Sequence, residues 1–224
     1  MLKVMCAICL TGLTTTPLQY QGGSVQTSPH IYVDYWGSQW KKDRTTRHEV
    51  SRFFENVGGS QWASQLSEYK AKTPKHELKG QWIDITPLPR VVTQQAIAHE
   101  AFRALQHFHN YLFNTTIVVM TPKHHNINEP WCGYHDFISG SGYRDGLPYM
   151  YVAYDSPRCF SRTVILSHEY AEVVTDPLFT GWFDNSGKEI ADKCKTAITF
   201  ARFGIHQLLV QKIWSNKQNA CRVV

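Results

Sequence analysis

The side chains best suited to chemistry stand in one pentad, His168-Glu169-Tyr170-Ala171-Glu172. The pentad closes an apolar run, and the spacing predicts a helix over 161–175. Residues four apart lie on the same helix face, so His168 and Glu172 would project side by side, with Glu169 one position round. Two such ligands can hold one zinc ion, and the glutamate between them can take a proton from a metal-activated water. The pattern is that of an HExxH metalloprotease helix in which glutamate replaces the second histidine.

The chain contains its own control for this signal, because the dipeptide His-Glu occurs four times among its 11 histidines. The residues four positions after those histidines are Arg52, Gly80, Arg103 and Glu172. Only Glu172 can bind a metal ion. The alternative interpretation of the pentad, taken alone, is a solvated helix face with an incidental charged pair.

A catalytic zinc site takes three protein ligands and one water, so a third ligand is needed beyond the helix. Asp176 is followed by Pro177, which cannot continue the helix, and an acid-rich loop comes next. The residue six positions after Glu172 is Leu178, which excludes the metzincin spacing. A gluzincin-type site takes an acid from further downstream, and Asp192 suits that role best because it lies beside a cysteine that we expect to be disulfide-bonded.

Three other acids are alternatives to Asp192. Asp184 and Glu189 stand in the same acid-rich loop. Asp176 is on the ligand face one helical turn further along, and we expect it to support the ligands more than to bind the metal itself. Taken alone, each of these acids is more commonly a solvated loop carboxylate.

Composition and charge bound the classes of protein to consider. A length of 224 residues suits one domain, and a 42% apolar fraction supplies a substantial core. The net charge of +5 comes from scattered basic residues with no stripe of interleaved aromatics, so we expect no nucleic-acid partner. No apolar run is long enough to span a bilayer, so we expect no membrane span.

The N-terminus is typical of a secretory leader. One lysine, Lys3, precedes a short apolar segment over 4–13, and we predict a signal peptide over residues 1–16 followed by a domain over 17–224. The alternative is a buried N-terminal strand. We therefore expect a secreted, extracellular protein.

Cysteine usage agrees with export. Removal of the leader would leave four cysteines: Cys132, Cys159, Cys194 and Cys221. An even number in a secreted protein suggests two disulfides, and of the three possible pairings we favour Cys132–Cys159 and Cys194–Cys221 because each closes a local loop. The alternative is that these are free thiols of a cytosolic chain.

The chain alternates between strand and helix patterns. Runs of β-formers predict strands over 31–36, 82–85, 116–121, 150–154 and 208–214. Apolar residues at helical spacing predict helices over 43–56, 60–69, 93–113 and 161–175. Ser60 is a plausible N-cap of the second helix.

Several spaced motifs carry a resemblance to a known family. The segments 167–177, 181–184 and 189–194 resemble the "SHELAEAxTDP…GWYD…EIGDxC" block of a family of secreted bacterial and fungal proteins. That family is distantly similar to the plant phosphate-induced, or Exordium-like, proteins. Further matches in order are the segments 22–23, 35–40, 131–135 and 214–216, with Cys221.

The resemblance implies a zincin-like domain with an HExxE helix. It implies His168 and Glu172 as metal ligands and Glu169 as the general base. His135, in the element that resembles the family's "CGYH", becomes a candidate catalytic residue that would stabilise a tetrahedral oxyanion or bind the metal. The alternative for His135 is a histidine packed beside a disulfide.

We therefore predict a single-domain α/β (α+β) protein of zincin-like metalloprotease type, with short helices packed on a mixed sheet. The expected function is that of a secreted zinc-dependent peptidase that binds one Zn2+ per chain and acts on a peptide or protein substrate. One alternative is a non-catalytic secreted or cell-wall-associated signalling or binding protein of Exordium-like type. Another is an extracellular amidase or cell-wall hydrolase with the same metal chemistry.

Overall fold

The computed structural model describes residues 16–109, 112, 114–123, 132–140, 146–153 and 161–223. The strands are β1 (Gln19–Tyr20), β2 (His30–Trp36), β3 (Leu78–Asp84), β4 (Thr115–Met120), β5 (Gly133–Ile138), β6 (Leu147–Val152), β7 (Trp182–Phe183), β8 (Ile198–Phe203), β9 (His206–Gln211), β10 (Ile213–Ser215) and β11 (Ala220–Arg222). The helices are α1 (Arg44–Asn56), α2 (Gln61–Ser64), α3 (Gln94–Phe108) and α4 (Arg162–Thr175). Short 3-10 segments cover Ser38–Lys41, Gln65–Tyr69 and Asp192–Cys194.

A five-stranded sheet in the order β3-β2-β4-β6-β5 lies at the centre. The first four strands run parallel, and β5 pairs antiparallel with β6 at one edge. Smaller antiparallel pairs join β1 to β7, β8 to β9 and β10 to β11. This arrangement confirms the predicted α+β architecture, a mixed sheet with packed helices.

Helices cover both faces of the central sheet. Strand β4 has the sequence TTIVVM and is buried along its whole length, as expected of a central parallel strand rich in β-branched residues. Side chains on one face, such as Ile117 and Val119, pack with α3, while Val118 and Met150 on the other face belong to the core shared with α1, α2 and α4. The alternation of side chains along each strand separates the two cores.

The first helices begin where the sequence predicts. The Asp43 side chain accepts a hydrogen bond from the Thr46 amide at the start of α1, and Ser60 accepts one from the Ala63 amide at the start of α2. Both are N-cap hydrogen bonds that satisfy amides left free at a helix start. The second helix passes into a 3-10 segment at Gln65, so the predicted helix over 60–69 is present in two parts.

Helix α4, which carries the pentad, is buried along almost its whole length. Every one of its residues is buried except Arg162 and His168. It packs between the central sheet and the β8-β9 hairpin, where the Thr163 hydroxyl donates to the Leu209 carbonyl. Such burial on all sides explains the apolar run before the pentad, and the helix ends at Thr175, as the Asp176-Pro177 pair predicts.

Four of the sequence-based boundaries are wrong. The strand predicted over 150–154 is β6, which starts at Leu147 and ends at Val152. The helix predicted over 93–113 ends at Phe108, where His109 adopts the left-handed conformation with φ of 49°, a common way for a helix to end. The strand predicted over 82–85 starts at Leu78; its polar, exposed edge positions conceal the β pattern. The strand predicted over 208–214 is two strands, interrupted where the Lys212 amide donates to the Ala197 carbonyl.

The sequence also predicts two disulfides and a secretory leader. The predicted Cys194–Cys221 disulfide is present, with a Cα–Cα distance of 5.7 Å. Cys132 is also disulfide-bonded, while its predicted partner Cys159 lies outside the described residues. Nearly all of the predicted leader, residues 1–15, also lies outside them. No helix among the described ranges is long and apolar enough to cross a membrane.

Candidate metal centre

Helix α4 places two predicted metal ligands next to each other. The Nε2 atom of His168 lies 3.2 Å from Oε2 of Glu172, one helical turn away. The Glu172 side chain is 5% exposed and that of His168 17%. Partial exposure of His168 on an otherwise buried helix opens this pair to a cleft, which is what a catalytic ligand pair requires.

The third predicted ligand, Asp192, joins this pair from the downstream loop. Its Oδ1 lies 3.9 Å from His168 Nε2, and its backbone amide donates a 3.0 Å hydrogen bond to Glu172 Oε1. One ligand atom from each of the three side chains lies within 4.8 Å of the others. We call His168, Glu172 and Asp192 the helix site.

These spacings fit a divalent cation. Two atoms bound to the same zinc ion lie at most about 4.4 Å apart, twice the metal–ligand bond length, so movements of a few tenths of an ångström would complete the site. One imidazole and two carboxylates form a donor set suited to zinc and to harder divalent ions. The residues present therefore fit the metal that the pentad predicts.

The turn that carries Asp192 is held on several sides. Cys194, two residues on, forms the disulfide to Cys221 on β11. The Trp214 amide donates to the Ile190 carbonyl, and Ile190 is fully buried in the core beneath the turn. Asp192 is thus on a braced segment, although Lys195 Nζ also approaches its Oδ1 to 3.1 Å at the rim of the cleft.

His168 is oriented by a glutamine that the sequence analysis did not identify. Gln211 Oε1 lies 3.1 Å from His168 Nδ1, and Gln211 Nε2 donates to the Ala191 carbonyl at 2.6 Å. The second bond fixes the amide so that its oxygen accepts from Nδ1–H, which leaves Nε2 free to bind a metal. In the sequence, Gln211 is recognisable only as a polar residue at an inward position of β9. That position alone does not predict its contact with His168.

His135 reaches the same region from the edge strand β5. It is the only buried residue of β5, and it lies opposite Met150 of β6, on the face of the sheet that packs against α4. Its Nδ1 lies 3.8 Å from Glu169 Oε2 and 3.7 Å from Glu172 Oε2. His135, Glu169 and Glu172 form a second group with ligand atoms within 4.8 Å of one another, which we call the strand site.

Close packing of β5 on α4 brings the two sites together. A Cβ at Gly133 would lie 2.6 Å from Ile165 Cγ2, 2.9 Å from the Tyr151 carbonyl oxygen and 3.1 Å from Glu169 Oε1. No side chain fits there without a shift of backbone or core, so only glycine allows β5 to approach the helix this closely. The glycine before Tyr134 and His135 thus has a steric role in assembling the site.

The histidines carry strongly perturbed pKa values in the absence of metal. Burial alone lowers the pKa of His135, but the carboxylates of Glu189, Glu169 and Glu172 outweigh burial and raise it to about 10. Burial also lowers the pKa of His168, and Glu172 with Glu169 raises it to about 10. The carboxylates therefore favour positive charge at both rings, as they would favour a bound cation.

The pKa values of the acids depend on the balance between burial and the neighbouring histidines. Burial raises the pKa of Glu169, despite the neighbouring histidines, and burial raises that of Glu189 to about 9. Burial acts to raise the pKa of Glu172 as well, but His168 and His135 hold it below its usual value. Burial thus favours the neutral form of Glu169, while the two histidines favour the ionised form of Glu172.

The remaining acids named from the sequence have other partners. Asp176 Oδ1 accepts hydrogen bonds from the amides of Thr180 and Gly181, at 2.6 and 2.5 Å, in the turn after α4. Asp184 accepts from Ser186 and the Lys188 amide and pairs with Lys193. The structure brings neither acid into the helix site or the strand site, so their place as weaker metal candidates gains no support.

A cleft of about 430 Å³ opens over both sites. Phe179 forms part of its wall, with its ring 4.9 Å from that of His135. The other lining residues are Gln94, Gly133, Tyr134, His135, Asp136, His168, Glu169, Glu172, Glu189, Asp192 and Lys195. The candidate ligands and the candidate base therefore share one solvent-accessible space.

Comparison with known proteins finds no family model that matches the chain and no match among the curated proteins. The geometry of the site is therefore the basis on which a function can be inferred.

Proposed function

We propose that this chain is a zinc-dependent peptidase of zincin type, with the helix site as its metal centre and Glu169 as its general base. The observation that carries the proposal is the convergence of His168, Glu172 and Asp192 beside Glu169 in one cleft. Hydrolysis requires a general base beside the metal ion. A purely structural metal site requires no acid between its ligands.

Each residue would have a distinct role. His168, Glu172 and Asp192 would hold the zinc, which when bound supplies Lewis-acid polarisation of the scissile carbonyl and activates water. Glu169, with its raised pKa, would accept the proton of the attacking water at a carboxylate oxygen and return it to the leaving amine. Burial of Glu169 at 5% exposure keeps bulk water from competing for that proton.

His135 would act on the opposite wall of the cleft. It is 7% exposed and is surrounded by carboxylates that favour its charged form. A protonated imidazole there donates hydrogen bonds, and it would stabilise the negative charge that develops on the carbonyl oxygen. This is one of the two roles that the family resemblance implies for His135.

The edge strand supports a peptide as substrate. Within the described residues β5 is an edge strand that pairs only with β6, and it borders the cleft. An extended peptide can add to such an edge through main-chain hydrogen bonds, which would hold the chain along the metal centre. The Cys194–Cys221 disulfide supports an oxidising compartment, and we propose that the protein acts outside the cell.

The decisive test is Glu169→Gln, with Glu55→Gln as the matched control on the exposed face of α1. Glu169→Gln should keep one zinc ion per chain and lose hydrolysis by roughly 100-fold or more, since general-base catalysis is removed. Glu55→Gln should keep both the zinc ion and the hydrolytic activity. The substrates are casein, a mixed peptide library and peptidoglycan fragments.

The results distinguish the peptidase from the two alternative functions. Normal hydrolysis by Glu169→Gln would contradict the proposed role of Glu169. Cleavage of peptidoglycan fragments alone would favour the amidase alternative. Zinc binding that raises the melting temperature without hydrolysis of any substrate would favour the non-catalytic alternative.

A further inference from the structure

The strand site is a second group of potential ligands that the helix site does not use. It contains His135, Glu169 and Glu172, and it shares only Glu172 with the helix site. Each group contains one of the two histidines, so the atoms that are close enough to bind one ion divide into two overlapping sets. The overlap at Glu172 is the arrangement by which a carboxylate bridges two cations.

A buried imidazole faces this second group with its Nδ1, which lies within 3.8 Å of both Glu169 and Glu172. His135 is 7% exposed, and its Nε2 lies 3.5 Å from Glu189 Oε1. Neither atom has a hydrogen-bond partner among the described residues. With a cation at Nδ1, the proton on Nε2 would face the Glu189 carboxyl group, the kind of outer partner that metal-bound imidazoles commonly have.

The cleft supplies enough carboxyl groups for two cations. Glu169, Glu172, Glu189 and Asp192 all line it. Lys195 stands only at the exposed rim, where its side chain is 69% exposed and it pairs with Asp192.

The position of Glu172 suits sharing. Its Oε2 lies 3.2 Å from His168 Nε2 and 3.7 Å from His135 Nδ1, so that one carboxylate faces both rings. Two bridged cations in proteins lie about 3.5–4 Å apart. Their mutual repulsion means that the second ion binds more weakly than the first.

We infer that the strand site binds a second divalent cation, and that this ion inhibits hydrolysis because it occupies Glu169. Binding of the second ion follows from the positions of His135, Glu169 and Glu172. The inhibitory role rests on the proposed function, since a glutamate that ligates a cation no longer accepts a proton from water.

The test of binding is a zinc titration of the metal-free protein by calorimetry, followed by elemental analysis. The wild type should bind two zinc ions in two phases, the second roughly 100-fold or more weaker because of the repulsion. His135→Gln should lose the weak phase and keep the tight one, while His168→Ala should lose the tight phase. His99→Ala, an exposed histidine in another His-Glu pair, should behave as the wild type.

The inference fails if the wild type binds a single zinc ion up to millimolar zinc, or if His135→Gln still binds two. The wild-type isotherm decides this even if His135→Gln does not fold.

The test of inhibition is the rate of hydrolysis against free zinc. In the wild type the rate should rise as the tight phase fills and fall as the weak phase fills. In His135→Gln, whatever its starting rate, the fall at high zinc should be absent. A fall that persists in this variant would overturn the inhibitory role. Absence of hydrolysis at every zinc concentration would end both the proposed function and the inhibitory role, while two-phase binding would still establish the second site.

Discussion

The backbone amide of Asp192 donates a 3.0 Å hydrogen bond to Oε1 of Glu172. This bond joins the downstream turn to helix α4 and leaves Oε2 of the same carboxylate facing His168. The second ligand therefore helps to position the third, and the helix site is assembled before any ion binds. Pre-organisation of this kind reduces the ordering cost of metal binding.

Gln211 should tune zinc affinity through His168. Gln211→Leu removes the acceptor for Nδ1–H and leaves the ring free to rotate, so zinc affinity should fall by roughly 10- to 100-fold. A competition titration against a chromophoric chelator measures the change. Gln207→Leu, on an exposed position of the same strand, is the matched control. Equal affinities for the two variants would show that Gln211 does not orient the ligand.

Asp192 should behave differently from the two acids that bond elsewhere. Asp192→Ala removes a ligand, so its affinity loss should exceed the roughly 10- to 100-fold effect of an outer hydrogen-bond partner. Asp176→Ala and Asp184→Ala should keep zinc affinity. Both should lose stability by about 1–3 kcal/mol, because backbone amides lose their acceptors. Loss of zinc in Asp184→Ala, with zinc kept in Asp192→Ala, would reassign the third ligand.

The Cys194–Cys221 disulfide should stabilise both the fold and the metal site. It joins residues 27 apart in sequence, a loop length for which chain entropy gives about 3–4 kcal/mol. The double variant Cys194→Ala/Cys221→Ala should therefore lose stability of that order in urea denaturation. Zinc affinity should fall as well, because the bond braces the turn that carries Asp192. An unchanged unfolding midpoint together with unchanged zinc affinity would contradict this role.

Glu77 should make stability depend on pH. It is 1% exposed, and it accepts a 2.5 Å hydrogen bond from the Tyr170 hydroxyl of α4. Burial raises the pKa of Glu77 from 4.5 to about 8. Between these values the unfolded chain ionises the carboxyl while the folded protein retains the proton, so its contribution to stability is complete below pH 4.5 and is lost as pH rises to about 8.

Glu77→Gln keeps the shape and the acceptor for Tyr170 but does not titrate. The free energy of unfolding of the wild type should fall relative to that of Glu77→Gln by up to about 1.4 kcal/mol per pH unit within that window. Urea denaturation of both proteins at several pH values between 4 and roughly 9 measures the difference. A difference that does not change with pH would show that Glu77 is already ionised in the folded protein.

The parts of the site that are close in sequence could be predicted. His168, Glu169 and Glu172 share one helical repeat, and Asp192 follows within one loop, so spacing alone places them near one another. Helix α4 could be predicted because an apolar run precedes the pentad and Pro177 follows it.

Contacts between distant segments could not be predicted in the same way. The sequence does not predict strand β5, because only His135 along it is buried and the strand lacks the alternation of apolar and polar residues. The approach of His135 to Glu169 depends on the antiparallel pairing of β5 with β6, and that of Gln211 to His168 depends on the packing of β9 on α4. Such pairings follow from tertiary packing, which periodicity does not report.

The central claim is that His168, Glu172 and Asp192 form the tight metal site. The most direct test is the zinc content of reconstituted wild type, His168→Ala and His99→Ala, equilibrated at a free zinc concentration low enough to fill only the tight phase. One zinc ion per chain in the wild type and in His99→Ala, with none in His168→Ala, is the result that this account predicts. No zinc in the wild type, or equal zinc in His168→Ala, would contradict it.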